Sequence, residues 1–231
     1  MLLCIEGDME RNIEKRVDSL SIMALLTFSG GMQDAYTYFE RRHVFANGQT
    51  GNIVLMASYL FSGDFKKTLH YIIPILFYAL GIFLSDEIEG HKKALFRLGE
   101  WQHVVLYLEI LLLLVVGLIP DSMYHLANAL VSFSCALQVQ AFRTVRGYSY
   151  ASTMCVGNMK LGMAAFSKSI RLKDKTELDK FLHYMLVIFI FIAGAGTGAL
   201  LSEKIGLKAI WASSFSLMIA LILLFIPIRK K

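Results

Sequence analysis

Two carboxylates stand inside apolar runs, and that placement is the first chemical signal in this chain. Asp34 lies in LSIMALLTFSGGMQDAYTYF, and Glu109 interrupts LYLEILLLL. At ~1.5 Å rise per residue, Glu109 falls about 10 Å into its segment. A carboxylate at the centre of a bilayer costs on the order of 2.5–3.5 kcal/mol on insertion scales. Such residues therefore face the protein interior or water, and they mark ion or proton sites. Asp34 and Glu109 are accordingly the candidates for proton or cation coupling. Gly30, Gly31, Asp34 and Tyr38 recur at three- and four-residue spacing, which places them on one helix face. The glycines admit a close neighbouring backbone or a ligand. The plainer alternatives are a hydrogen bond from Asp34 to a neighbouring helix, and a helix-anchoring role for Glu109, with Lys160 as one conceivable partner.

Amides follow in NGQTGN. Asn47, Gln49, Thr50 and Asn52 alternate with Gly48 and Gly51. A helix broken here would expose backbone groups, and the amide side chains would contact a ligand. The alternative is a loop leading into a helix capped by Thr50 or Asn52. The second half offers Gln138, Gln140 and Asn158. The substrate-binding candidates are thus Gly31, Asp34, Tyr38, Asn47, Thr50, Asn52, Gln138, Gln140 and Asn158. No catalytic set accompanies them. The six histidines form no HExxH, and GxSxG, Walker and GxGxxG motifs are absent. Cys4, Cys135 and Cys155 have no CxxC spacing. The expectation is no enzyme, no cofactor and no metal.

The elements that must position these residues are apolar helices. Of 231 residues 56% are hydrophobic and 18% charged, with a mean hydropathy of +0.55. Both fractions depart from a soluble domain, and the apolar residues come in long blocks. Six blocks approach the ~20 residues a spanning helix needs: Leu20–Phe39, Leu69–Ser85, His103–Ile119, Met123–Phe142, Phe181–Leu201 and Leu207–Ile228. Val44–Gly63 and Tyr148–Ser167 are weaker, each opening polar and glycine-containing and closing apolar. They read as broken or re-entrant segments, which are tolerated at membrane depth where they line a cavity or are buried in protein. With six spans and the N-terminus inside, about 16 Lys/Arg fall inside and about 6 outside, a stronger positive-inside bias than eight spans give.

The fold expected is all-α: a polytopic membrane protein with six strong transmembrane helices and two weaker membrane-depth segments, six to eight spans in all. Residues 1–19 form a polar cytoplasmic segment. The net charge of +5 sits in clusters between apolar blocks, which argues against a nucleic-acid partner. The lipid bilayer of the plasma (inner) membrane and a small-molecule or ion substrate are the expected partners, with room for a homo-oligomer.

A faint repeat divides the chain into 20–120 and 121–231. Sliding by about 106 residues sets Thr50-Gly51-Asn52 on Val156-Gly157-Asn158, and Asp34 on Gln140. Gly81 and Ser85 match Gly198 and Ser202, and Trp101 matches Trp211. Duplicated halves are common in secondary transporters, with the substrate site where the halves meet. Three full spans per half would make the repeats inverted, four parallel.

The pattern Gly31, Asp34, Ala35, Tyr38, followed by Thr50, Gly51 and Asn52, resembles the YoaK-like family of bacterial multi-pass inner-membrane proteins. The likeness covers most of the chain, although Val156 stands where the family tends to show a Thr-Gly-like step. It implies a polytopic membrane protein of the permease type and supplies no substrate. The function expected is a secondary transporter or permease. The alternatives are a non-transporting structural or regulatory membrane protein and a passive channel.

Overall fold

A computed structural model describes residues 17–91 and 101–226. Most of the polar segment 1–19, the basic stretch 92–100 and the last residues lie outside that range. The chain is all-α apart from one short hairpin. In order, the elements are α1 Leu20–Glu40, α2 Gln49–Phe61, α3 Phe65–Gly90, α4 Trp101–Val116 and α5 Tyr124–Ala141. They continue with β1 Thr144–Val145, β2 Tyr148–Ser149, α6 Cys155–Leu172, α7 Lys175–Ile205 and α8 Ile210–Phe225. Ser19, Asp64 and Asp174 start α1, α3 and α7 by accepting a backbone N–H with their side chains.

Specific contacts fix the direction of each long helix. α1 and α7 run parallel, because Phe28 meets Gly194 and Met32 meets Gly198. A Cβ at Gly31 or Gly194 would strike the partner backbone, at Phe191 or Phe28. α3 and α5 are likewise parallel: the Ser85 hydroxyl donates to the Leu137 carbonyl at 3.4 Å, and Gln140 donates to Asp86 at 2.8 Å. α8 opposes α1, with Ser213 on Ser29 (Oγ–Oγ 2.6 Å) and Ser216 donating to the Leu25 carbonyl at 3.0 Å. α4 starts beside Phe225 (ring centroids 4.6 Å from His103) and ends beside Arg41. Hence α1, α4 and α7 point one way and α3, α5 and α8 the other. The bundle has an Arg42 end and an Arg143 end.

α2 and α6 do not run the length of the bundle. After α1 the chain turns back on itself, and Asn47 reaches Asp34 and Gly30 in the body of α1. Gly30 lies ten residues before the helix end, about 15 Å at ~1.5 Å per residue. α2 then climbs back to the Arg42 end, where Tyr59 stacks on Tyr71 at 5.8 Å. The other half does the same from the opposite end. Beyond α5 the hairpin pins to Asp18 through the Arg146 N–H (3.1 Å). Ser152 and Thr153 then dip to Gln138 and Gly30. α6 returns to the Arg143 end, where Lys168 pairs with Glu177.

The interhelical contacts fall into matching pairs. α1 packs chiefly on α7, and its counterpart α5 packs on α3. α2 lies on α3 as α6 lies on α7, α1 meets α8 as α5 meets α4, and α4 meets α8. α1 and α5 are enclosed by other helices, with 12 buried positions each. Their interior positions can therefore be small or polar, such as Ser29, Gly31, Gln33, Ser132 and Gln138. The outward faces are apolar instead: Leu76, Phe83, Leu111, Phe189, Ile192, Phe215 and Ile222 are all exposed. Two helical stretches, Phe65–Gly90 and Lys175–Phe225, are long and apolar enough to cross a membrane by length and composition, and Trp101–Val116 is a shorter apolar helix.

The helix bounds differ from the apolar blocks in the sequence in one systematic way. α3 and α7 extend past Leu69–Ser85 and Phe181–Leu201 by polar turns at their ends, because a helix continues beyond its apolar stretch while its ends are solvated. The β1–β2 hairpin, with Arg146 and Gly147 both at positive φ, turns just before the block Tyr148–Ser167 and places its second strand at the polar opening of that block. Tyr148–Ser167 is thus a hairpin strand, a loop and a shifted helix.

One buried arginine locks the Arg42 end. Arg41 is fully buried and donates from Nε to the Tyr36 hydroxyl (2.9 Å). Its terminal nitrogens donate to the carbonyls of Val116 (3.0 Å), Ile119 (2.8 Å) and Pro120 (3.2 Å). The Val116 and Pro120 carbonyls also accept the Ile119 and Met123 N–H (3.2 and 3.0 Å), and the guanidinium adds its bonds to them and to the Ile119 carbonyl just past the negative end of α4. Arg41→Met should lower the thermal midpoint of the purified protein, since each stranded buried acceptor costs about 1–3 kcal/mol. Arg42→Met, which removes an exposed pair with Asp121 and a contact with the face of the Tyr124 ring, should change the midpoint far less. Thermal unfolding of both variants in one detergent checks the contrast.

Candidate functional site

The residues of greatest chemical interest converge halfway along α1. Glu109 is fully buried on α4. Its Oε1 accepts from Gln33 Nε2 at 3.0 Å, while Oε2 has no hydrogen-bond partner. The same Gln33 nitrogen donates to Ser29 Oγ at 3.0 Å, and Ser29 meets Ser213 of α8. Gln33 Oε1 accepts from the Cys135 thiol at 2.7 Å. Cys135 lies within electrostatic reach of both Glu109 and Asp34 and beside the Asn47 side chain. Polar groups therefore line the space between Glu109 and Asp34 across α4, α1, α5 and the loop before α2. Hydrogen bonds join Glu109, Gln33 and Cys135, and Asn47 joins Asp34 through its N–H.

Asp34 bounds that space. Its Oδ1 accepts from the Asn47 N–H at 2.7 Å, just ahead of the N-terminus of α2. A carboxylate suits that position, because the first N–H groups of a helix are unpaired and its dipole is positive there. Tyr78 of α3 and Thr153 of the second loop complete the surroundings, the Tyr78 hydroxyl facing Thr153. Gln138 donates to Ser152 Oγ at 2.9 Å and to the Leu26 carbonyl at 3.4 Å. Several buried polar atoms here have no partner: Glu109 Oε2, Asn47 Oδ1, Gln138 Oε1, Tyr78 Oη and Thr153 Oγ1. Buried polar atoms are nearly always satisfied in native proteins, so these five, like the unpaired atoms elsewhere in the bundle such as those of His70, Ser202 and His183, call for a water, an ion or a bound molecule. Among the described residues there is no metal-binding group of three or more His, Cys, Asp or Glu.

The two weaker segments share one device. Asn52 Oδ1 accepts from the Phe45 N–H at 3.2 Å, and its Nδ2 donates to the Phe45 carbonyl at 2.7 Å. Asn158 Oδ1 accepts from the Ala151 N–H at 3.4 Å, and its Nδ2 donates to the Ala151 carbonyl at 2.8 Å. In each case the amide holds the backbone seven residues earlier. The two sets are offset by 106 positions. An amide matches a peptide unit with one donor and one acceptor, so it replaces the pairing lost where the helix is broken.

The sequence candidates therefore separate. Asp34, Asn47, Glu109 and Gln138 come together at the centre. Asn52 and Asn158 are buried beside it, with both ends of their amides committed to the loops. Gly31 faces the α7 backbone and allows that close approach. Tyr38 stacks on Phe45 at 5.0 Å toward the Arg42 end. Thr50 is exposed on α2. Gln140 sits apart and bonds Asp86, so the position matching Asp34 in the second half does not enter the centre. Lys160 is exposed, and Gln33 is the partner of Glu109. Gln33, Ser29, Tyr78, Cys135 and Thr153 carry no local motif. Their only sequence signal is a polar or small residue in an apolar run at the level of Asp34.

A family model described as a protein of unknown function, DUF1275, matches residues 22–223. No curated protein and no solved structure matches the chain.

Removing either loop-holding amide should cost similar stability, because the two do the same work. Asn52→Ala leaves the part-buried N–H and carbonyl of Phe45 without the amide, and Asn158→Ala the N–H of Ala151, whose carbonyl keeps the Met154 N–H; each unpaired group should cost up to about 1–3 kcal/mol. Parallel shifts in thermal midpoint would bear this out. A shift in only one of the two would count against the equivalence of the segments.

Proposed function

The chain belongs to the DUF1275 family of proteins of unknown function, and from that premise we propose that it is a multi-pass secondary transporter or permease of the plasma (inner) membrane. The observation that carries the reading is the pair of half-length helices. α2 and α6 start at the middle of the bundle, return to opposite ends, and flank the buried polar groups of Asp34 and Glu109. Unwound backbone and half-helix termini at the bundle centre are how many carriers build a substrate site. The apolar outer surface with a polar interior is what a lipid environment favours. The narrower likeness to YoaK-like proteins belongs to the same proposal.

In this reading α1, α3, α4, α5, α7 and α8 cross the bilayer, and α2 and α6 are re-entrant. The two halves, 20–120 and 121–231, are inverted repeats. Opposite directions of α1 and α5, and the exchange of packing partners, support that arrangement. The Arg143 end faces the cytoplasm together with the N-terminus. Arg143, Arg146, Lys168, Arg171, Lys173, Lys175 and Lys180 gather there. Arg42, Lys66, Lys67, Lys204 and Lys208 lie at the other end, which follows the positive-inside rule.

The substrate is a small polar molecule or ion that meets the unpaired atoms of Asn47, Gln138, Thr153 and Tyr78. Glu109 has no cation beside it among the described residues. A buried carboxyl without a counter-charge is tolerated as the neutral acid. Gaining and losing that proton as one half rocks against the other would couple flux to the proton gradient. Asp34, held by the α2 N-terminus, would register the movement of the first loop.

Two measurements test the proposal. Single cysteines at 64, 121 and 172, in a background without native cysteines, should be labelled in intact cells at 64 and 121 and only after permeabilisation at 172. Labelling of 64 and 172 from the same side would refute the re-entrant arrangement. Energised vesicles containing the protein should accumulate compounds from a defined metabolite mixture that empty vesicles do not. Glu109→Gln should abolish the dependence of that uptake on the pH gradient while sparing exchange. Uptake by Glu109→Gln vesicles with an unchanged pH-gradient response would remove Glu109 from coupling.

A further inference from the structure

A second site lies away from the bundle centre. At the Arg143 end a cavity of about 580 Å³ opens between α7, the start of α1 and the β1–β2 hairpin. Its walls change character with depth. Asp179 stands at the rim, and Leu182 and Leu186 follow one and two turns further along α7. Both leucines are exposed on the outer face of the bundle. Arg146, at the turn of the hairpin, lines the mouth and makes no ion pair among the described residues. Lys180 sits over the Tyr148 ring at 5.6 Å, beside the same mouth.

His183 points to a ligand. It lines the cavity, is only 6% exposed, and neither of its ring nitrogens has a hydrogen-bond partner. Imidazole always carries at least one acceptor or donor that burial leaves costly if unpaired. A molecule filling the cavity would supply the partner. That molecule would meet the cations of Arg146 and Lys180, set against the carboxylates of Asp179 and Asp18, and an apolar surface along Leu182 and Leu186.

We infer that this cavity binds an anionic phospholipid, with the phosphate between Arg146 and Lys180, His183 beneath it, and an acyl chain along the two leucines. Asp179 narrows the headgroup. Its carboxylate repels a bare phosphate but accepts hydrogen bonds from hydroxyls, so a phosphoglycerol headgroup fits and a choline headgroup, which has no donor, does not. The inference rests on the membrane reading above, in which the Arg143 end meets the anionic cytoplasmic leaflet. It does not depend on what is transported.

The test is native mass spectrometry of the full-length protein, with phosphatidylglycerol and phosphatidylcholine of equal chain length, and with soluble glycerol phosphate as competitor. Phosphatidylglycerol should be retained preferentially, and glycerol phosphate should not displace it. Arg146→Asn and Lys180→Gln should each lower retention by about fivefold, the effect expected for one cation near an anionic surface. Asparagine tolerates the left-handed backbone at position 146, so the hairpin is kept. Leu186→Asn should weaken lipid retention as well. Equal retention of both lipids would overturn the inference, as would wild-type retention by the Arg146→Asn/Lys180→Gln double variant. Displacement by glycerol phosphate would make a free phosphate ester the occupant and overturn the lipid. Lost lipid selectivity with transport intact would sink this site alone, whereas absent transport with selectivity retained would sink only the carrier proposal.

Discussion

Backbone that leaves the helix in the middle of an apolar bundle has no water to fall back on. Every N–H and C=O released there must be paired by the protein. This chain breaks its helical run twice at that depth, and the rest of the architecture answers the demand. Asn52 and Asn158 each take over one peptide unit, at Phe45 and Ala151. Asp34 takes the Asn47 N–H, and Thr37 accepts from the Ala46 N–H at 3.2 Å. The side chains that do this must themselves be held at the centre. That explains why α1 and α5, the helices that carry or contact them, are the most enclosed and the least uniformly apolar.

The two breaks are made alike but finished differently. Each is preceded by a reversal through two consecutive residues at positive φ, Arg42–His43 in the first half and Arg146–Gly147 in the second. The second is a two-residue hairpin with glycine where the strain would be greatest, as such turns favour. The first uses two bulky residues, whose left-handed backbone carries a steric cost. There the ring of His70 bonds the Arg42 carbonyl at 2.9 Å and Arg41 anchors the preceding turn. The halves diverge most where the first carries carboxylates. Asp34 has Gln140 as its counterpart, and that amide has turned away to Asp86. The charge at the centre is thus one-sided.

Much of this could be read from the residues. The apolar blocks located the long helices, and the polar opening of Val44–Gly63 and Tyr148–Ser167 marked the segments that α2 and α6 do not fill. The offset of 106 aligned Asn52 with Asn158, and their hydrogen bonds repeat at that spacing. Gly194 and Gly198, four apart in the run AGAGTGA, approach α1 closely, as small residues at that spacing do. What stayed hidden was pairing between distant positions. Nothing near Gln33 announces that it links Glu109 to Cys135, because those residues are 76 and 102 positions away. No local pattern sets Arg41 apart from Arg42 beside it. Only the approach of the α4 terminus turns it into a buried cap. The hairpin escaped notice because two-residue strands carry too little alternation to register.

The exchange of partners between halves has a consequence for how the protein is made. α1 finds its closest neighbour not in the rest of its own half but in α7, which starts at Lys175. At ~5–20 residues per second, ribosomes take about ten to thirty seconds to supply it after α1 is complete. Throughout that interval the notched, glycine-bearing face of α1 and its polar residues lack the surface they are shaped for. The newly made first half must therefore wait with that face uncovered until the second arrives. Topology and close packing are separated in time, and the molecule closes only near the end of its own synthesis.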